Sequence, residues 1–155
     1  MSEDFFTAYA GQTTDELLAL ETRYRIDSLV QAFETAIALE ADQAKLSREE
    51  TWILAIEALE REVNNGGYDQ FFLNSSSKFD AIIVEALLGI GCPLTAAITR
   101  EAIALHQRAE LDDDAVLDAL CACDERYYAA CEPIGDRLFA WIKQNRSAIR
   151  IGRPR

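Results

Sequence analysis

The chain has 155 residues, half of them apolar, and its 27 acidic against 15 basic side chains give a formal charge of −12. That length and apolar content suit one globular domain with a real core and exclude an intrinsically disordered chain. The acidity argues against binding nucleic acid or an anionic membrane surface and favours basic partners.

The opening MSEDFFTAYAGQ lacks the basic segment and apolar run of a secretory signal. No apolar stretch reaches membrane-spanning length, so a cytoplasmic protein is expected. Few prolines and glycines and the lack of alternating strand patterns predict the all-α class. The expected organisation is a single compact domain over residues 1–149, with about six helices, followed by a loose basic tail over 150–155.

Thr13 or Thr14 caps a first helical stretch in which Leu18, Ile26, Leu29, Val30, Phe33 and Ile37 keep a helical period up to about residue 42, with a break near Arg25. Ser47 and Glu50 form a capping box for a helix over 48–63. Trp52, Ile56, Leu59 and Val63 are its buried stripe, and Glu50, Glu57 and Arg61 are expected to point away from the core. Asn64, Asn65, Gly66 and Gly67 then close that helix, because these residue types accept the left-handed conformation. A short helix over 68–73 follows with Phe71 and Phe72 inward, and Asn74–Ser77 turns the chain.

Helices over 78–90 and 93–106 are separated by Gly91, with Pro93 opening the second. Asp112, Asp113 and Asp114 open a longer helix, where negative charge suits the helix dipole, with Val116, Leu120, Cys123 and Tyr127 as its apolar stripe. Pro133 lies in the first turn of the last helix.

The segment around the asparagine–glycine cluster invites a catalytic interpretation, which its spacing resists. Glu60 and Glu62, two apart on a helix, face opposite ways, and the single histidine, His106, is remote in sequence. The cluster ends a helix instead of opening one after a strand and carries no phosphate-loop lysine. A structural corner made of Asn64, Asn65, Gly66, Gly67, Phe71 and Phe72 is the better account. Cys92, Cys121, Cys123 and Cys131 contain no CxxC pair, and Cys121 and Cys123 diverge on their helix. Reduced thiols are expected, with no metal site and no cofactor. Asp112–Asp114 with Asp118 lacks the glycine and terminal glutamate of a calcium loop.

Charge is distributed unevenly. The six bases from Arg137 onward have no acid among them, so the first 136 residues carry −18. A solvated exterior explains this blandly. A sharper possibility is that acids on rigid helices present a field like a phosphate backbone, since i and i+4 side chains lie about 5–6 Å apart at Cβ. The candidate partner-binding acids are Asp27 with Glu34, Glu50 with Glu57, and the set Asp112, Asp113, Asp114 and Asp118.

LAIEALEREVNNGGYDQFFLNSSS at 54–77, then ALLGIG at 86–91 and DERYYAA at 124–130, resembles a family of small acidic bacterial helical domains formerly of unknown function. The likeness runs over about residues 45–145, and EVNNGGYDQFF is its most specific part. The family includes a DNA mimic protein, an acidic dimer that occupies the DNA-binding surface of a helix-turn-helix transcription factor. The resemblance implies a non-enzymatic homodimer that blocks a basic DNA-binding protein, without direct nucleic-acid or membrane binding. It assigns no function to individual residues. An immunity-type inhibitor of a basic toxin or nuclease would use the same electrostatics. A hydrolase built on Glu60, Glu62 or His106 is the alternative from another class.

Overall fold

The computed structural model describes residues 4–40, 45–108 and 112–152. Its described residues are all-α: α1 Thr14–Leu18, α2 Ile26–Glu40, α3 Arg48–Phe79, α4 Ile83–Gly89, α5 Pro93–His106, α6 Asp113–Ala130 and α7 Ile134–Gln144, then a 3-10 turn at Arg146–Ala148. The predicted break near Arg25 separates α1 from α2. The expected end of that stretch at 41–42 and the tail residues 153–155 lie outside the described residues.

The described helices group into two compact units. Residues 1–57 with 133–155 form the terminal unit, and residues 58–132 form the central unit. The chain passes from one to the other within α3.

In the terminal unit, α2 packs on α1 and α7 through apolar faces. Leu17, Leu29, Phe33, Ile37, Ile53, Leu138 and Ile142 are fully buried, and Trp52 stacks on Trp141 with centroids 5.4 Å apart. Thr13 is the N-cap of α1 and forms a capping box with Glu16, satisfying donors that the first turn leaves open. The chain after α7 does not fray at residue 150. Ile149 and Ile151 are buried, and the Thr14 hydroxyl donates to the Ile149 carbonyl at 2.5 Å. Two β-branched apolar side chains outweigh the basic residues around them, so the packed chain extends at least to Gly152.

In the central unit, α5 packs against α4 and α6. Gly91, at φ +88°, reverses the chain after α4, and Pro93 opens α5 as expected. The N-cap of α5 is Cys92, which supplies no capping side chain. Glu132 does so from a distance: its carboxylate accepts from the amides of Leu94 at 3.2 Å and Thr95 at 2.6 Å. A carboxylate there also meets the positive end of the helix dipole.

The expected turn at Asn74–Ser77 is instead helix, and α3 continues to Phe79 before the chain turns at Asp80–Ile82. The physical reason at its start is a clamp on Glu62. Its Oε2 accepts from Gln70 Nε2 and Asn74 Nδ2, both at 2.9 Å, which carries helical backbone past the corner and through Asn74. Asn74 therefore spends its amide on a helix partner and not on its own turn.

Candidate functional site

The asparagine–glycine cluster is a kink inside α3, where Gly66 has φ −159°, ψ 18° and Gly67 has φ 78°, ψ −176°. Only glycine adopts the second pair without strain. The kink exposes backbone groups that helix geometry would have satisfied, and α6 supplies their partners. The Tyr68 amide donates to Asp124 Oδ1 at 2.8 Å, and the Tyr128 hydroxyl donates to the Val63 carbonyl at 2.6 Å. Asn64 donates to both the carbonyl and the carboxylate of Glu60, while Asn65 is exposed. Tyr68 and Phe71 are fully buried and Phe72 almost so, and the Tyr68 hydroxyl meets Thr99 Oγ1 at 2.7 Å. The corner is therefore a joint between α3 and α6.

The two glutamates of this segment go to separate places. Glu62 sits in the amide clamp, whose hydrogen bonds from Asn74 and Gln70 hold its carboxyl below the usual range. Glu60 is half-buried, and burial pushes its carboxyl up against the opposing effects of Tyr127 and Asn64. The Tyr127 hydroxyl is buried beside it, near enough to act on its charge yet short of full hydrogen-bond geometry. His106 is exposed and lies flat on Phe72, with centroids 4.3 Å apart and ring planes 5° from parallel. These three groups are each occupied with different partners. Cys121 and Cys131 are exposed, Cys92 and Cys123 are buried, and all are free thiols.

Two of the expected partner-binding acids are in the wrong place for that role. Glu50 is 1% exposed. As the third residue of its capping box, it turns back over the helix start, where Oε1 accepts from the Ser47 amide at 3.0 Å and Oε2 from the Arg150 amide at 3.1 Å. Glu57 is 7% exposed, flanked along α3 by the buried Ile53, Ile56 and Ala58. The apolar stripe of α3 is wider than the sequence period suggested, because helix faces that would meet solvent in an isolated helix are covered here. Asp27 is ion-paired with Arg25 at 2.7 Å, and Glu34 is half-exposed.

The remaining acids separate by unit. By sequence, residues 58–132 hold fourteen acids against five bases, whereas the terminal unit holds thirteen against ten. In the terminal unit the late bases bind early acids: Lys143 meets Glu21 at 2.5 Å and Arg146 meets Asp15 at 3.5 Å. On α6 the situation is different. Asp112 caps the helix by accepting from the Ala115 amide at 2.7 Å, and Asp113, Asp114, Asp118 and Glu125 are exposed. Among the described residues, none of these last four is in an ion pair. At about 3.6 residues per turn, Asp114, Asp118 and Glu125 share one stripe roughly 16 Å long. Glu125 was not among the expected site residues, although its place seven residues after Asp118 was the signal for it.

A family model described as DMP19-like protein matches residues 44–145 of the chain. The chain belongs to the DMP19-like family. DMP19 is a DNA mimic protein family. No curated protein and no solved structure matches the chain significantly. The DMP19-like match runs from just before the Ser47–Glu50 capping box to the end of α7, so it takes in the whole central unit. EVNNGGYDQFF and DERYYAA are two sides of the same joint, since Asp124 and Tyr128 satisfy the backbone of the kink. The EVNNGGYDQFF segment is thus architectural, while the exposed row Asp114–Asp118–Glu125 runs beside Tyr128 on α6. Among the described residues, no helix is long and apolar enough to cross a membrane, and no three His, Cys, Asp or Glu side chains converge as a metal cage requires.

Proposed function

We propose that this DMP19-like chain acts as a DNA mimic, binding the DNA-binding surface of a transcriptional regulator, such as a helix-turn-helix protein, and blocking its access to DNA. The exposed row Asp114–Asp118–Glu125 on α6, in no ion pair among the described residues, supports this proposal together with the family. Rigid, solvated carboxylates in line attract the lysines and arginines that otherwise neutralise phosphates. The role is non-enzymatic, cytoplasmic and without cofactor. A homodimer suits it, because a two-fold regulator reads half-sites about 34–36 Å apart and one row spans only about half that distance.

The test is a low-salt capture from native cytosol, followed by a gel-shift assay with the captured protein and its duplex. The expected result is a DNA-binding protein that this chain displaces from DNA, with duplex competing for the same surface. A captured toxin or nuclease would instead support an immunity-type inhibitor, and a partner whose binding is indifferent to duplex would overturn the mimic function.

A further inference from the structure

The exposed face of α6 is more than a row of charge. Leu117 is 41% exposed and Tyr128 50% exposed, and Cys121 between them is also exposed. At about 3.6 residues per turn these three fall on one stripe, beside the Asp114–Asp118–Glu125 row, with Asp113 on the opposite flank. The result is an apolar seam edged with carboxylates. The buried stripe of Leu120, Cys123 and Tyr127 lies roughly 100° round the helix from the seam, so the exposed surfaces of Leu117 and Cys121 are surplus to the core of the unit. The Tyr128 hydroxyl is held by the Val63 carbonyl at 2.6 Å, which fixes its ring in place on the seam.

We propose that the outer face of α6 is a docking surface for a basic amphipathic helix, whose apolar side chains lie on Leu117, Cys121 and Tyr128 while its lysines or arginines meet the flanking acids. Charge complementarity selects this occupant. A second copy of the chain would set identical carboxylate rows against each other, with repulsion along the whole contact. A bare polycation would leave the seam uncovered, whereas an amphipathic helix covers seam and acids together, as helix-in-groove recognition does. The proposal rests on the mimic function for the kind of partner, and on α6 alone for the place. It adds a contact that a phosphate backbone does not offer, so part of the binding persists at salt concentrations that abolish pure charge attraction.

The experiment uses the full chain and two labelled synthetic peptides of identical composition. One sets leucines at i, i+3, i+4 and i+7 among arginines, and the other scrambles them. Fluorescence anisotropy is measured at low and high salt for the wild type, Leu117→Gln, and the triple variant Asp114→Asn, Asp118→Asn and Glu125→Gln. The wild type is expected to bind the patterned peptide about five- to tenfold more tightly than the scrambled one. Leu117→Gln should remove that preference at both salt concentrations, and the triple variant should weaken both peptides and flatten the salt response. Equal binding of the two peptides, binding of neither, or an unchanged preference in Leu117→Gln would overturn the seam. So would sedimentation showing a wild-type dimer that Leu117→Gln makes monomeric, since the seam would then be self-covered. Unchanged salt response in the triple variant would overturn the electrostatic basis of the mimic function itself, which distinguishes the two failures.

Discussion

The amide of Tyr68 donates to Asp124 at 2.8 Å, and a Cβ built on the preceding Gly67 would come within 2.7 Å of the same carboxylate's carbon. The joint between α3 and α6 thus requires a missing side chain at residue 67 and an acid at residue 124. Gly67→Ala meets both the positive φ of 78° and this collision, and should lower stability by about 2 kcal/mol or more in urea unfolding. Gly66→Ala should cost less, since its φ of −159° lies outside the left-handed region and the atoms in its way belong to the Gln70 side chain, not to backbone. Partner binding per folded molecule should survive both changes. A fully stable Gly67→Ala protein that no longer binds would make the corner a contact surface instead.

Glu50 lies inside a backbone clamp, so its removal should be felt in folding and not in recognition. Glu50→Ala leaves the amides of Ser47 and Arg150 without their acceptor and should destabilise by about 1–3 kcal/mol. Thermal unfolding and an association-rate measurement on the same variant decide the matter. Slower association at unchanged stability would return Glu50 to the partner-binding set.

The pH response separates the two glutamates of the corner. Burial raises the Glu60 carboxyl above its ordinary 4.5, so the folded chain keeps a proton there that the unfolded chain has lost. Stability from this group therefore falls as pH rises from 4.5 through the raised value. Glu60→Gln keeps the shape without the charge and should stabilise the chain at pH 7, with the gain shrinking toward acid pH. Glu62 is lowered by Asn74 and Gln70, so its contribution is complete above 4.5 and is lost as pH falls through its folded value. Asn74→Leu should diminish that acid-side loss. Chemical denaturation between pH 3 and 8 tests both signs, and a Glu60→Gln gain that grows toward acid would contradict the first.

Neutralising Asp114, Asp118 and Glu125 together should slow association with a basic partner by about tenfold at low salt and have little effect at high salt. Helicity should be unchanged, with a stability loss limited to a few tenths of a kcal/mol from the first-turn Asp114. Stopped-flow mixing at two ionic strengths gives the answer. The paired acids Asp15 and Glu21 provide the contrast, since their ion pairs with Arg146 and Lys143 already offset their charge. Equal effects from the two sets would remove α6 from its special place.

Much of this protein was determined by local rules that sequence carries on its own. Thr13, Ser47 with Glu50, Pro93 and Asp112 mark helix starts because each acts on backbone within about one turn of itself. Gly67 is at φ 78° where the sequence placed a helix-breaking corner, and Trp52, Ile56, Leu59 and Val63 form the buried stripe that their period implied. The net charge and the family were likewise legible. What the tertiary structure decided is where each acid ends. Glu50 and Glu57 have the spacing of an exposed row yet are buried, and Glu50 is held there by the backbone of Arg150, 100 residues away. Glu132 caps α5 across 37 residues, and Lys143 meets Glu21 across 122. A carboxylate reads alike in sequence whether it is solvated, paired or capping, because that choice depends on which backbone amides and bases the fold brings within hydrogen-bond reach. The corner could be read from its own residues because the strain is local, whereas the acids of α6 are set apart from Glu50, Glu132, Glu21 and Asp15 only by the distant amides and bases that the fold brings to those four.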